Sequence, residues 1–249
     1  MKNKSIIFGI RVVIEAIEAG KEIDKVLINK SNASPLKQEL LDLMKDRGIV
    51  SQNVPEPKLN RITGKNHQGV IAYLSPITFS NLENVIMDIY EKGEDPFLIL
   101  LDGVTDIRNF GAIARTAECA GVHAIVLPER GVASINEDAI KISAGALLSL
   151  PVCRVRDLLT TSRYLKDSGI ALYAATEKAD TDLYDQSIEK GPCALIMGSE
   201  ESGISNEILN LCDAKLRIPL KGKIDSLNVS VSAGVILYEI VRAQLNETV

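Results

Sequence analysis

The chain has no tryptophan, two histidines and four cysteines among 249 residues, and each shortage excludes something. Cys119, Cys153, Cys193 and Cys212 stand singly, with no C-x-x-C pair. Neither a disulfide framework nor a thiolate metal site is therefore expected, and a reducing cytoplasm is the default compartment. With so little histidine, no metal site of any kind is expected. No apolar run reaches the roughly 18 residues that a membrane span needs. The opening MKNKSIIFGIRVVIEAIEAG has a signal-peptide outline, but Arg11 and Glu15 break its apolar run and no small-residue cleavage site follows. It reads as a short strand and then an amphipathic helix. Internal repeats, low-complexity tracts and a G-x-G-x-x-G loop are absent, which sets aside the common dinucleotide-binding turn.

What is present is ordinary globular composition, 46% hydrophobic and 24% charged, in a chain long enough for a large core. The net charge of −5 argues against a polyanionic partner, but the charge is uneven. Residues 1–78 carry 12 Lys+Arg against 8 Asp+Glu, and the remainder carries 16 against 25. A slightly basic first segment on an acidic body is either an RNA-binding end or ordinary charge scatter.

The first segment alternates helix and strand signals. Helical spacing runs from Gly9 to Ala19, with Gly20 as C-cap. Val26–Asn29 reads as a strand, and Pro35 opens a helix to about Arg47 that Gly48 stops. Ile49–Val54 and Gly69–Leu74 read as strands, giving a small α/β unit over residues 1–75. Residues 76–95 read as a linker holding one helix, bracketed by Pro76 and the turn Gly93-Glu94-Asp95-Pro96. Then Phe97–Leu101 is a near-continuous apolar strand, a type repeated at Ala124–Leu127, Ile170–Ala175 and Ala194–Met197. Helical patterns lie between, so a parallel sheet covered on both faces is expected from residue 96 onward. A last helix spans about Asn228 to Gln244.

Three blocks carry the chemistry. In the first, Leu101 to Arg115, a buried strand ends in a polar loop and a helix begins near Asn109; ligands of open α/β sheets sit at such strand ends. Arg115 is either a phosphate clamp or a solvated helix-face residue. In the second, Leu195 to Ile204, another buried strand ends in a Gly-bracketed acidic loop, and Glu200 either binds a partner or is simply solvated. In the third, Arg217 to Ser232, a short strand, a Gly-containing loop and a small-polar helix start follow one another. Ser226 or Asn228 is either the N-cap of the last helix or part of a polar binding site. His123 reads as structural, while His67 either contacts a ligand or shapes the turn before Gly69.

Together and in this order, over roughly residues 97–246, the blocks resemble the SpoU family of RNA ribose methyltransferases, also called the TrmH family. The elements are N-x-G-x-x-x-R (Asn109, Gly111, Arg115), G-x-E-x-x-G (Gly198, Glu200, Gly203) and S-L-N-V-S (Ser226 to Ser230). The first segment resembles the small RNA-binding domain, similar to ribosomal protein L30e, that precedes the catalytic domain in many members. Its Asn66-His67-Gln68-Gly69-Val70 stretch fits the subgroup acting on a guanosine of large-subunit (23S) ribosomal RNA. The resemblance implies an L30e-like α/β domain at 1–75, a linker at 76–95 and, at 96–249, a parallel-sheet α/β methyltransferase domain of the SPOUT type. That domain would carry a C-terminal trefoil knot, which physical reasoning alone does not suggest because knots are so rare. S-adenosylmethionine is the implied cofactor, bound in the knot by Thr176, Gly198, Ile218, Ser226 and Leu227. Arg115, Asn109, Glu200 and Asn228 are the implied catalytic residues. RNA and a second copy of the chain are the implied partners, with no membrane and no DNA. One departure is visible: the family's Asp-Pro-x-Asn is Asp106-Ile107-Arg108-Asn109 here, which removes a fixed φ.

A ribose 2′-OH is a weak acid and must lose its proton during attack, and in-line displacement depends chiefly on positioning. A guanidinium cannot accept a proton near neutral pH. The expectation is therefore that Arg115 acts with an RNA phosphate on the hydroxyl, with the proton passing to the phosphate or to a transiently deprotonated Arg115. Asn109 would hold the hydroxyl or Arg115, and Glu200 would orient Arg115. The alternatives are the same chemistry on transfer RNA, a non-catalytic RNA-binding ribosome assembly factor, and a small-molecule α/β enzyme.

Overall fold

Two sets of apolar strands, separated by a change from mixed to purely parallel pairing, divide the chain. The computed structural model describes residues 6–29, 31, 34–179 and 181–245; residues 1–5 of the signal-like opening lie outside them. Residues up to Thr78, with Ile135–Glu137, form one compact unit, and Phe79–Ser134 with Asp138 onward form a second.

The first unit runs β1 (Ile6–Phe8), α1 (Ile10–Glu18), β2 (Ile23–Ile28), α2 (Pro35–Asp46), β3 (Ser51–Asn53), α3 (Glu56–Ile62) and β4 (Val70–Leu74). Its sheet has the order β1-β4-β2-β3, with β2 and β3 parallel and the other pairs antiparallel. Ile10, Val13, Ile14 and Ile17 recur at helical spacing and bury one stripe of α1 against Val26, Ile28, Val70 and Ala72. The alternate strand residues Leu27 and Ile71 face a smaller cluster with Leu59 of α3. Ser34 caps α2 by accepting the Lys37 N–H at 3.2 Å, and Pro35 occupies the first turn. Helix α3, between the strands expected at Ile49–Val54 and Gly69–Leu74, was not expected; it begins with Pro55 and Pro57. It forms because both prolines sit at its start, where a missing N–H has no intrahelical partner to lose.

The second unit runs α4 (Leu82–Glu91), β5 (Phe97–Asp102), α5 (Ile107–Cys119), β6 (Ala124–Pro128), α6 (Glu137–Ile142), β7 (Val152–Val155), α7 (Leu158–Asp167), β8 (Ala171–Ala175), β9 (Cys193–Gly198), α8 (Asn206–Leu209), β10 (Ala214–Leu216) and α9 (Val229–Leu245). Its six strands, ordered β10-β8-β9-β5-β6-β7, pair in parallel throughout. Leu98, Leu100, Ala194 and Ile196 form one core layer with residues of α4, α7 and α8. On the other side α9 packs on β8 and β9 and against α5. Burial on both faces explains why these strands read as unbroken apolar runs.

The helix foreseen within residues 76–95 is α4, and its Leu82 and Ile86 are built into this core. The third block's strand lies just before the place expected: it is β10, and Arg217 continues it as a single bridge to Asp182. From there the segment before α9, including Ile218 and Ser226, lines one cleft with the ends of β8 and β9. No helix among the described residues is long and apolar enough to cross a membrane.

Candidate active site

The carboxyl ends of β8, β9 and β10 open into a cleft of about 710 Å³ lined by Thr176, Gly198, Glu200, Ile218, Ser226, Leu227 and Asn228. Strand ends supply Thr176 and Gly198, the turn after β9 supplies Glu200, the loop after β10 supplies Ile218, and the approach to α9 supplies Ser226, Leu227 and Asn228. In doubly wound sheets, strand ends at a change of winding direction are where ligands bind, and here β5 has β6 on one side and β9 on the other.

Gly198 is fixed by crowding. A Cβ there would lie 2.2 Å from the carbonyl carbon of Gly203 and 2.4 Å from the Ile204 nitrogen. The turn that crowds it is closed by Ser199 and Gly203, which exchange backbone hydrogen bonds at 3.3 and 3.0 Å. Gly203 takes φ +67°, a left-handed conformation that glycine adopts freely. This turn aims Glu200 at two amides.

Glu200, Asn109 and Asn228 form a closed triangle. Glu200 Oε1 accepts from Asn109 Nδ2 at 3.0 Å and from Asn228 Nδ2 at 2.9 Å, and Asn228 Nδ2 also donates to Asn109 Oδ1 at 2.9 Å. Each corner is held from behind. Asn109 sits in the first turn of α5, where its N–H and that of Arg108 donate to Asp106 Oδ1. Asp106 thus caps the helix, and its carboxyl is held below the usual aspartate value, first by the Arg108 side chain and then by those backbone N–H groups. Asn228 Oδ1 accepts from the backbone N–H of Ser230 at 3.0 Å and from its hydroxyl at 2.6 Å. The structural and functional readings of Asn228 therefore coexist: its oxygen caps α9 and its nitrogen serves the triangle.

Arg115 is not part of this cluster. It is exposed, and no hydrogen bond or ion pair joins it to Glu200, Asn109 or another described residue. The expectation that Glu200 orients Arg115 is corrected on geometry. Six residues along a helix rotate a side chain about 240° from Asn109, and Glu200 spends its bonding oxygen on the two asparagines. Gly111, between them, is a packing residue: a Cβ would lie 2.7 Å from Ile142 Cγ2.

Both histidines are structural. His123 Nδ1 accepts the Phe97 N–H at 3.0 Å and its Nε2 faces Glu94 at 3.1 Å. His67 is buried, with Nδ1 accepting from Gly69 N–H at 2.9 Å and Nε2 at 2.8 Å from Asn60 Oδ1. His67 shapes the turn.

Two further features were not anticipated. Asp102, at the end of β5, accepts the Ser205 N–H at 3.2 Å and ties the segment after the Ser199–Gly203 turn to the central strand. Arg217 pairs with Asp182 at 2.8 Å on the cleft wall. No local pattern announces either, since the partners lie far apart in the chain.

A parallel sheet clad on both faces, a cleft at its strand ends and an amide–carboxylate triangle beside that cleft define the second unit as an α/β enzyme domain. Residues 96–238 match the SpoU rRNA Methylase family, and residues 6–80 match the family described as RNA 2′-O ribose methyltransferase substrate binding. The chain belongs to the SpoU rRNA methylase family. It is 33% identical over 236 residues to a putative TrmH family tRNA/rRNA methyltransferase, YacO, of Bacillus subtilis (95% of this chain, 94% of that one). Among solved structures it is similar to the SpoU methyltransferase AviRb of Streptomyces viridochromogenes in complex with AdoMet, with 26% identity, TM-score 0.59, and 95% and 89% of the two chains covered. It is also similar to a TrmH/SpoU tRNA modifying enzyme of A. aeolicus, with 29% identity and TM-score 0.54. That likeness covers 65% of this chain and 83% of the other. The fold is accordingly the SPOUT α/β fold with a preceding α/β domain, and the protein is an RNA methyltransferase of the TrmH/SpoU family.

Proposed function

We propose that the protein transfers a methyl group from S-adenosylmethionine to the ribose 2′-OH of a guanosine in large-subunit ribosomal RNA. The Asn109–Glu200–Asn228 triangle carries this reading, because it fixes polar groups beside a cleft suited to the cofactor. A volume of about 710 Å³ lies within the roughly 300–1,000 Å³ of small-ligand sites. The lining also fits the cofactor chemically: Leu216, Ile218, Leu227 and Ile236 suit an adenine, and Glu177 suits a cationic group. Thr176, Gly198, Ile218, Ser226 and Leu227 would hold it.

When bound, the cofactor supplies a methyl on a positively charged sulfur that departs as a neutral thioether. The protein's share is to position and deprotonate the nucleophile. The triangle orients the ribose, and Arg115, which lies outside the triangle of its own chain, would hold an RNA phosphate against the 2′-OH from the second copy of the dimer. As the new O–CH₃ bond forms, the hydroxyl proton passes to that phosphate oxygen. Catalytic roles for Arg115, Asn109, Glu200 and Asn228 follow.

The first unit supports ribosomal over transfer RNA, since the similar tRNA-modifying enzyme leaves about a third of this chain uncovered. In that unit a polar cleft of about 590 Å³ has the exposed Lys65, Asn66 and Gln68 in its lining, groups suited to RNA. The active form is a homodimer: Val231, Tyr238 and Leu245 recur every seven residues on α9 and are 51%, 50% and 75% exposed. Tyr238→Glu should convert the dimer to a monomer in light scattering. Four unpaired cysteines fit a reducing cytoplasm.

The test is methyl transfer from labelled S-adenosylmethionine to large-subunit rRNA and to tRNA, each from cells lacking the protein, followed by mapping. Label on a guanosine ribose of the rRNA is expected. Label on tRNA alone would change the substrate, and cofactor binding without any transfer would leave an assembly factor.

A further inference from the structure

We propose that a second cleft of the methyltransferase unit, at the carboxyl ends of β5, β6 and β7, holds the RNA nucleotide adjoining the one that is methylated. The inference rests on the RNA-methyltransferase reading. The cleft has a volume of about 370 Å³, and its lining includes Pro128, Arg130, Arg156, Leu158, Ser205 and Ile208.

Its cations are the first argument. Strands β6 and β7 pair with Pro128 opposite Val155. Arg130 and Arg156 therefore leave neighbouring strand ends close together. Neither guanidinium has a hydrogen bond or ion pair among the described residues. Carboxylates are present but two are already engaged: Asp102 accepts from Ser205 N–H, and Asp157 accepts from Thr160 N–H at 2.7 Å to cap α7. Glu207 is the third. Asp102, Asp157 and Glu207 keep their charge beside them, but among the described residues both guanidiniums keep their N–H donors free, and the planar fork matches a phosphate.

The floor is the second argument. The half-buried Pro128 and Leu159, backed by the buried Leu158 and Ile208, offer an apolar surface against which a base can lie. A cleft with an apolar floor and two free guanidiniums suits a nucleotide better than a bare ion.

Position is the third. One turn separates this cleft from the catalytic one. Glu200 of that turn lines the catalytic cleft, and Ser205, a few residues on, lines the second. Gly103 packs against Ser199 from the second cleft's side; a Cβ on it would meet Ser199 Cβ at 3.2 Å. A polynucleotide that presents one ribose to the triangle meets the second cleft one step along its backbone.

The experiment measures binding of a short fluorescein-labelled single-stranded RNA across a salt series, and steady-state transfer to large-subunit rRNA. It compares wild type, Arg130→Ala, Arg156→Ala, the double alanine variant, the double lysine variant and Lys190→Ala. Lys190 precedes β9, at the opposite end of the sheet, and controls for net charge. The double alanine variant should bind RNA about tenfold more weakly, with the slope of log affinity against log salt reduced by about 0.7 per phosphate lost. KM for RNA should rise while kcat and S-adenosylmethionine affinity stay near wild type. The lysine variant should recover part of the loss, because charge returns without the fork. An effect no larger than that of Lys190→Ala overturns the proposal. So does an equal loss of cofactor affinity in the lysine variant, which would mark a structural role. Wild-type protein that neither binds nor methylates RNA would instead remove the reading on which the proposal rests.

Discussion

At the scale of single residues, Asn228 shows how one side chain serves two ends, and substitution can separate them. Its oxygen caps α9 and its nitrogen bonds Asn109 and Glu200. Asn228→Ala removes both, so transfer should fall at least tenfold and stability by about 1 kcal/mol, the usual worth of an N-cap. Asn228→Ser restores a capping oxygen but cannot donate to the same two partners. Thermal unfolding of Asn228→Ser should therefore approach wild type while transfer stays low; recovery of transfer would show that the cap alone matters. Arg115→Ala should abolish transfer with cofactor affinity intact, as titration calorimetry would show. Gly198→Ala should fail differently, losing cofactor affinity, because backbone atoms at 2.2–2.6 Å cannot yield as a side-chain tip would. Thiol chemistry gives an independent check on packing. Burial pushes Cys153 up to about 11 and Cys193 and Cys212 up to about 12. With almost no thiolate near neutral pH, these three should resist iodoacetamide, leaving exposed Cys119 as the alkylated site in native protein by mass spectrometry. None of the triangle's contacts was legible locally, since they span 28, 91 and 119 positions. Only the joint resemblance of three blocks brought these residues together, and the Glu200–Arg115 contact expected from the mechanism is one that the helix geometry does not make.

At the scale of elements, the start of α5 explains a departure from the family pattern. Ile107 occupies the place where proline is usual, and it is the first residue of the helix. That position suits proline because its N–H has no intrahelical partner. Here the hydrogen bonds to Asp106 come from Arg108 and Asn109, not from Ile107, and Asp106 has φ −76° and ψ 124°, the extended conformation preferred before proline. The cap does the fixing that the proline ring would do. Ile107→Pro should therefore raise stability by about 0.4–1 kcal/mol through the unfolded chain, read as a higher denaturation midpoint with transfer unchanged. The same cap has a pH signature. Because the folded Asp106 carboxyl lies below its ordinary value, its contribution is present above that value and is lost as pH falls through the depressed one. Below about pH 4, wild type should lose thermal stability more steeply than Asp106→Asn, which caps without titrating. Elements were legible in proportion to their pattern. Strands β5, β6, β8 and β9 are buried on both faces and announce themselves as apolar runs. Strands β7 and β10, of four and three residues, are too short to show a period, and α3 was hidden by the two prolines that begin it.

At the scale of the whole molecule, the division of charge matches the division of cores. The first unit builds its own clusters around α1 and α3, and the second builds its own around β5 and β9. Residues 1–78 carry the positive excess and the rest the negative excess of a chain at −5. An acidic catalytic unit would repel an RNA backbone at long range, and a basic partner in the same chain offsets that by raising the RNA's local concentration. Residues 79–249 expressed alone should therefore bind S-adenosylmethionine as the full chain does, because every residue lining the 710 Å³ cleft lies within them. Their RNA affinity should fall, and its salt slope should become shallower as phosphate contacts are lost. Calorimetry for the cofactor and a salt series for RNA on the two proteins decide the matter. Equal RNA affinity and equal slope would mean that the first unit contributes no phosphate contacts, and that the charge imbalance along the chain is scatter.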